Sequence, residues 1–202
     1  MIRLVIPDSG PLISLARVGR LDLIDRFRCP ILITDVVEME LLDGPPDAPD
    51  APVFKDWLGD RGNRIQVVET SYGQLLRQNR ELLALLPEEQ RNAQRRRFKV
   101  KNAGELSVRE FSDEVRNRLA PQDSVLVLFE DQRVRTMSFG DHVHMMSSWS
   151  LAKAIENLGL IPSAEELFDQ IERTGRTPPR DPFDREAKSG EPGDFIGAYD
   201  RS

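Results

Sequence analysis

A short apolar run near the start of the chain, residues 2–6, ends in Pro7-Asp8-Ser9-Gly10-Pro11 and is followed by an apolar-periodic segment. This pattern predicts a strand that is buried on both faces and then a helix. In open parallel sheets the ligand crevice lies at the carboxyl ends of the strands. The run therefore places the Asp8 carboxylate where an α/β protein keeps its site, although Asp8 and Ser9 are also residue types that cap a helix.

Apolar runs and helical patterns alternate along most of the chain. Further strands are predicted at residues 31–33, 65–68, 125–129 and 142–145, with helical segments between most of them. This alternation is typical of βαβ units, so we expect a three-layer α/β/α domain with a central, mainly parallel, twisted sheet over residues 1–175. Residues 74–101 are predicted to form an exposed, basic helical insertion. Residues 176–202 spread prolines and glycines among charges, and this composition predicts a flexible tail.

The composition limits the class of protein. The chain has 202 residues, of which 39% are hydrophobic, and this is enough for one substantial core. Its single cysteine, Cys29, allows no internal disulfide, and we find neither a signal-peptide pattern nor an apolar span of membrane length. We therefore expect a cytoplasmic protein with no membrane partner. The net charge of −6 excludes nonspecific coating of nucleic acid, because that mode of binding neutralises many phosphates.

Acidic residues stand at several predicted strand ends and helix starts. The candidates are Asp8, Glu38 or Glu40, Glu105, and Glu130 or Asp131. In a parallel sheet centred on the first strand, the carboxyl ends of that strand and of the strand at 125–129 lie side by side, so these carboxylates converge. Carboxylates crowded into one small site need a cation, because each like charge raises the pKa of its neighbours. Oxygen ligands alone favour Mg²⁺ or Mn²⁺, and the chemistry suited to such a site is phosphodiester hydrolysis by a metal-activated water.

Four segments match, in order, the motifs of one known family. They are Asp8-Ser9-Gly10-Pro11-Leu12-Ile13, Val36-Val37-Glu38-Met39-Glu40-Leu41, Gly104-Glu105 and Glu130-Asp131-Gln132-Arg133-Val134-Arg135. Together they resemble the PIN-domain family, in the subgroup related to VapC-type toxins, and the similarity extends from residue 2 to about residue 175. The opening motif is the most specific of the four.

The resemblance implies an endoribonuclease that hydrolyses RNA phosphodiester bonds with Mg²⁺ or Mn²⁺. It also implies the setting of a toxin–antitoxin system, with RNA, an antitoxin protein and a second copy of the chain as partners. The acidic quartet carried over is Asp8, Glu40, Glu105 and Glu130, with Glu38 as the alternative second acid and Asp131 as the alternative fourth. The implied metal ligands are Asp8, Glu105, Glu130 and Asp131. The family usually has aspartate where this chain has Glu130, which leaves the fourth ligand open.

A basic stretch, Arg95-Arg96-Arg97-Phe98-Lys99-Val100-Lys101, stands directly before the Gly104-Glu105 motif. A charge run of this kind is commonly a solvated helix face. Its position favours a phosphate-tracking edge of an RNA groove, so we assign substrate binding to Arg95, Arg96, Arg97, Lys99 and Lys101, together with Ser9 beside Asp8. Docking of an acidic inhibitor, or of the acidic tail of this chain, is the alternative role for the stretch.

Two other interpretations compete with a nuclease site. A PIN-like domain that no longer cleaves would act as a binding or assembly module, and the glutamate at 130 and the acidic net charge are compatible with that role. His142 and His144 flank one residue and therefore share one face of a strand. No third nitrogen or sulfur ligand accompanies them, so we expect surface histidines of an edge strand rather than a transition-metal site.

Overall fold

A computed structural model of the chain describes residues 1–43, 50–59, 62–187 and 194–200. Within these residues the strands are β1 (Ile2–Pro7), β2 (Ile31–Thr34), β3 (Ile65–Val68), β4 (Ser124–Phe129), β5 (Val143–Ser147) and β6 (Asp184–Arg185). The helices are α1 (Ser9–Arg17), α2 (Asp22–Asp25), α3 (Asp35–Leu42), α4 (Ala51–Gly59), α5 (Ser71–Ala84), α6 (Glu88–Phe98), α7 (Ala103–Arg116), α8 (Ser148–Asn157), α9 (Ala164–Arg173) and α10 (Asp194–Ala198). Short 3₁₀ helices lie at Gly62–Arg64 and Gln132–Thr136.

The strands form one sheet in the order β3-β2-β1-β4-β5-β6, in which β1 to β5 run parallel and β6 runs antiparallel. Helices flank this sheet, so the predicted α/β class with a mainly parallel central sheet is confirmed, and the layers are those of an α/β/α fold. Strand β1 pairs with β4 up to Pro7 and Leu128. The carboxyl ends of these two strands are therefore neighbours, and Asp8 and Glu130 follow them at the same edge of the sheet.

Local signals in the sequence account for most element boundaries. Every residue of β4 is buried, as expected for an apolar strand in the middle of a parallel sheet. The Thr34 hydroxyl accepts the Val37 N–H at 3.3 Å and so caps α3. The Ser163 hydroxyl accepts the Glu166 N–H at 3.3 Å and caps α9. Gly159 follows α8 with a φ of 73°, a left-handed conformation that ends a helix.

The predicted helical insertion corresponds to α5 and α6. Helix α5 is held at its start by Asp35, whose carboxylate accepts the Thr70 hydroxyl at 2.7 Å and pairs with Arg77 at 2.8 Å. Beyond that anchor the helix is open to solvent, and Gly73 is its one buried residue among those described. None of the described helices is long and apolar enough to cross a membrane.

The segment from residue 176, predicted as a flexible tail, packs on the domain in its described parts, 176–187 and 194–200. Strand β6 pairs with β5. The Tyr199 side chain is fully buried, its hydroxyl donates to the Leu23 carbonyl at 2.5 Å, and its ring meets Phe27 edge-on at 5.0 Å. The end of this segment therefore contributes to the hydrophobic core.

The two histidines are buried, so the expectation of surface histidines is wrong. The reason is that β6 and the residues after it cover His144 in β5, whereas His142 precedes β5 and lies against α7. His142 lies against the Ser112 carbonyl, with Nε2 at 2.9 Å from the oxygen, and His144 Nδ1 accepts the Ala187 N–H at 3.1 Å. Both rings are held by backbone groups, which is a structural role.

Candidate active site

Asp8 lies at the base of an open cleft of about 690 Å³ at the carboxyl edge of the sheet. It occupies the position that precedes α1, but its side chain makes no hydrogen bond that caps the helix. The residue is 7% exposed, and its backbone N–H donates to the Leu128 carbonyl of β4 at 2.9 Å. Helix capping therefore does not explain why a carboxylate is buried at this position.

Glu130 enters the same cleft directly after β4 and is 8% exposed. A Cβ added to Gly10 would lie 2.9 Å from the Cβ of Glu130, which is closer than real Cβ atoms approach. The glycine of the opening motif is therefore what lets Glu130 lie against the start of α1. The Oε2 atom of Glu130 pairs with Arg176 at 2.8 Å, whereas Oε1 is buried and has no hydrogen-bond partner among the described residues.

Glu40, rather than Glu38, reaches the cleft from α3. A Cβ added to Gly104 would lie 3.0 Å from both carboxylate oxygens of Glu40, so the glycine at the start of α7 leaves room for that carboxylate. The Ser9 hydroxyl donates a hydrogen bond to the same carboxylate. Glu38 instead lies on the side of α3 near Asp35 and Arg77 and is absent from the lining of the cleft.

Glu105 and Asp131 complete the acidic lining in different ways. Glu105 is in the first turn of α7, where the helix dipole favours a negative charge, and it is half-buried beside the cleft. Asp131 accepts the Arg133 N–H at 2.8 Å and so caps the 3₁₀ helix that follows β4. Of the two neighbouring acids, Glu130 is therefore the one buried in the cleft, while Asp131 has a capping role at its rim.

Neighbouring carboxylates raise the pKa values of Asp8 and Glu40. Burial, together with the negative charges of Glu40, Glu105 and Glu130, raises the pKa of the Asp8 carboxyl to about 8, against a hydrogen bond from the Ser9 N–H that lowers it. Although Glu40 is exposed as a residue, its carboxylate lies against Ser9 and Gly104. This desolvation raises the pKa of Glu40, as does the charge of Glu105. With the side chains in this arrangement, the Asp8 carboxyl is therefore protonated at neutral pH.

The donor set fits a hard divalent cation, although the side chains are not drawn together around one point. Within residues 1–43, 50–59, 62–187 and 194–200, no group of three or more histidine, cysteine, aspartate or glutamate side chains is arranged to hold a metal ion. The lining nevertheless offers oxygen ligands of the type that Mg²⁺ and Mn²⁺ prefer. A bound cation would give the Oε1 atom of Glu130 a partner and would lower the pKa of Asp8. The chemistry of the site therefore fits a cation.

A second cleft of about 510 Å³ adjoins the first and has basic walls. Lys99, Lys101 and Arg133 line it, and it shares Glu40 and Glu105 with the acidic cleft. Arg133 donates to the Asn102 side chain at 3.3 Å. Asn102 has a φ of 56°, a conformation that asparagine tolerates better than most residues, and it sits at the start of the helix that carries Glu105.

The basic stretch is only partly associated with this second cleft. Lys99 and Lys101 line it, whereas Arg95 is exposed on α6 and lines neither cleft. The side chains of Arg96 and Arg97 lie outside the described part of the structure. The sequence did not single out Arg133, which lines the second cleft, although its place three residues after Glu130 is a signal that the sequence carries.

Arg176 and Arg17 were also missed, and both line the acidic cleft. Arg17 pairs with Asp50 at 2.9 Å, and Arg176 pairs with Glu130. No sequence signal singled out Arg176, because it lies 46 residues from its acidic partner, in a segment whose composition predicts a tail.

Comparison with models of known protein families and with curated proteins found no match for this chain. The site places coupled carboxylates in one cleft directly beside a second cleft lined by basic side chains.

Proposed function

We propose that this chain is a metal-dependent endoribonuclease of the PIN type and that it acts as the toxin of a cytoplasmic toxin–antitoxin pair. The observation that carries the proposal is the meeting of Asp8, Glu40, Glu105 and Glu130 on one cleft, although they come from four separate parts of the chain. Their mutual effect on the pKa of Asp8 is a cost that a resident cation removes.

Asp8, Glu105 and Glu130 are the residues that would hold Mg²⁺ or Mn²⁺, with Asp131 at the rim as the further candidate. When bound, such an ion lowers the pKa of a water and neutralises charge on the phosphate. The rest of the work falls to protein groups. Lys99, Lys101 and Arg133 attract the RNA backbone beside the acids, and the Ser9 hydroxyl orients the Glu40 carboxylate.

The nearness of the basic cleft supports a single-stranded polyanion as substrate. A flexible strand can follow a positively charged groove, and Glu40 and Glu105 are common to both clefts, so a strand bound by the lysines continues past the acids. Without these basic groups, the acidic cleft would repel the strand that it has to cut.

A binding module that does not cleave is the second candidate. One observation favours it: Arg176 already supplies a positive charge to Glu130. In such a module the arginine takes the place of a metal ion at that carboxylate.

Incubation of the purified chain with labelled single-stranded RNA separates the two candidates. For a nuclease we expect internal cleavage that needs Mg²⁺ or Mn²⁺, stops with EDTA, leaves 5′-phosphate ends and is abolished in Asp8→Asn. Asp56→Asn, a change to an exposed carboxylate on α4, is the matched control and should cleave normally. A folded wild-type protein that binds RNA and leaves it intact with either metal would establish the binding module. Cleavage of single-stranded DNA but not of RNA would show that the substrate is DNA.

The toxin setting and the partners need separate tests. An antitoxin would be encoded beside this chain and should co-purify with it, and light scattering would reveal a homodimer. Normal growth of cells expressing a chain that is active on RNA in vitro would contradict the toxin role.

A further inference from the structure

Arg176 is a positive charge inside a cleft of acids. It follows α9 after Gly175, whose φ of 85° turns the chain, and its guanidinium enters the cleft beside α1. Its Nε donates to the Ser14 hydroxyl at 2.7 Å, and its Nη2 donates to the Gly10 carbonyl at 3.2 Å and to Glu130 Oε2 at 2.8 Å. Within the described residues, no hydrogen bond uses Nη1, so one arm of the guanidinium remains for a ligand.

The segment that carries Arg176 is fixed by contacts on its far side. Arg180 pairs with three carboxylates of α9: Glu165 at 2.6 Å, Asp169 at 2.5 Å and Glu172 at 2.9 Å. Asp181 pairs with Arg135 at 2.5 Å. The Phe183 ring meets Phe129 of β4 edge-on at 5.5 Å. These contacts hold residues 175–179 as a wall of the acidic cleft, and Arg176 is built into that wall.

The two clefts place basic groups on both sides of the acids. Lys99 and Lys101 lie in the second cleft, Glu40 and Glu105 are common to both, and Arg176 lies in the first cleft with Asp8 and Glu130. A strand that passes from the lysines across the acids therefore arrives at Arg176. A guanidinium is suited to a phosphate there, because its planar donors match phosphate oxygens.

We propose that Arg176 is an anion-binding residue that holds the phosphate next to the one being cleaved, on the side of the acids opposite Lys99 and Lys101. This inference rests on the proposed function for its substrate class. The hydrogen bonds to Ser14, Gly10 and Glu130 orient the guanidinium and leave Nη1 for the phosphate.

This role has a signature that a purely structural arginine lacks. A fixed positive charge in the cleft attracts an anion and repels a cation. Its removal should therefore weaken phosphate binding and strengthen metal binding, whereas loss of a structural support would weaken both.

The test measures binding to the full chain by isothermal titration calorimetry, with two probes, uridine 3′,5′-bisphosphate and Mn²⁺ alone. For Arg176→Gln we expect bisphosphate affinity to fall about tenfold, since a charge-assisted hydrogen bond is lost, and Mn²⁺ affinity to rise several-fold. Arg176→Lys keeps the charge and should retain most of the bisphosphate affinity. Arg118→Gln is the matched control, because it removes the same charge from an exposed site just beyond the far end of α7, and it should change neither affinity.

The outcomes separate this inference from the proposed function. Unchanged bisphosphate affinity in Arg176→Gln overturns the anion site, even if the protein cleaves RNA. A fall in both affinities together with a lower melting temperature also overturns it, in favour of a structural role, as does wild-type protein that binds no bisphosphate. If the wild type binds bisphosphate through Arg176 and yet leaves RNA intact, the anion site stands and the nuclease proposal fails.

Discussion

Replacement of Asp8 by asparagine should stabilise the metal-free protein, and the gain should grow with pH. The Asp8 carboxyl has a pKa of about 8 in the folded protein and an ordinary value of 3.8. Between these values the folded protein holds a proton that the unfolded chain has released, so the wild type loses stability as the pH rises through this window. Asparagine is close in shape to a protonated aspartate and carries no charge, so the variant escapes this loss.

The size of the effect follows from the difference between the two pKa values. A tenfold difference in proton affinity corresponds to about 1.4 kcal/mol. The wild type therefore loses up to roughly 6 kcal/mol once the pH exceeds the folded-state value, and about 2 kcal/mol of this is already lost by pH 5. Side chains of the open cleft will rearrange to reduce the repulsion. We therefore expect the advantage of Asp8→Asn over wild type to grow by about 2–4 kcal/mol between pH 5 and pH 9.

Urea denaturation in the presence of EDTA, followed by circular dichroism at a series of pH values, measures this directly. Asp56→Asn is the control, because an exposed carboxylate on α4 should change the unfolding free energy by less than about 0.5 kcal/mol at any pH. The reasoning is refuted if the advantage of Asp8→Asn is the same at both ends of the pH range. An advantage that shrinks with rising pH would show that the Asp8 carboxylate is stabilised as an anion.

Three further predictions concern the same edge of the sheet. Mg²⁺ or Mn²⁺ should raise the melting temperature of wild type, by the equivalent of about 2.7 kcal/mol when the metal concentration is ~100 times the dissociation constant. The metal should not raise the melting temperature of Asp8→Asn. If calorimetry shows no shift for wild type, the result favours the binding module. Gly10→Ala should cost about 1–3 kcal/mol in urea denaturation because its Cβ meets Glu130. Gly59→Ala, whose Cβ meets no described atom within 4 Å, should be neutral, and equal effects of the two changes would contradict the close approach at Gly10. Lys99→Gln with Lys101→Gln should weaken RNA binding and lower its salt slope by about 1.4, measured by fluorescence anisotropy beside Lys55→Gln on α4 as control, and an unchanged slope would place the RNA elsewhere.

The parts of the fold that the sequence predicted well are those set by neighbours in the chain. The strands predicted at residues 31–33, 65–68 and 125–129 each depend on a few neighbouring apolar residues, and they correspond to β2, β3 and β4. The pairing of β1 with β4 was predicted as well, because a parallel sheet centred on the first strand leaves few alternatives. The opening motif also predicted that Asp8 follows the first strand at the carboxyl edge of the sheet, and the structure places it there.

What the sequence could not provide depends on contacts between distant residues. The burial of Tyr199 rests on Leu23 and Phe27, and the position of Arg176 rests on Gly10, Ser14 and Glu130. Amino-acid composition carries no information about such contacts. A segment with few apolar residues was therefore predicted to be a flexible tail. The resemblance favoured Glu40 and left Glu38 as the alternative, but the space that Gly104 leaves for the Glu40 carboxylate is visible only in the packing of α3 on α7.

The central place of β1 in the sheet also sets an order of events during synthesis. One edge of β1 pairs with β2, which follows shortly after it in the chain. The other edge pairs with β4, in which Ser124 is the partner of Ile2, and it stays unpaired until β4 has been made. At ~5–20 residues per second, the ribosome takes roughly 5–20 s to make the chain between β2 and β4. During that time a nascent chain presents an apolar strand with an unpaired edge, which other chains can join. Fragments that stop before β4 should therefore aggregate or bind chaperones, and they cannot assemble the acidic cleft, because its Glu130 has not yet been made.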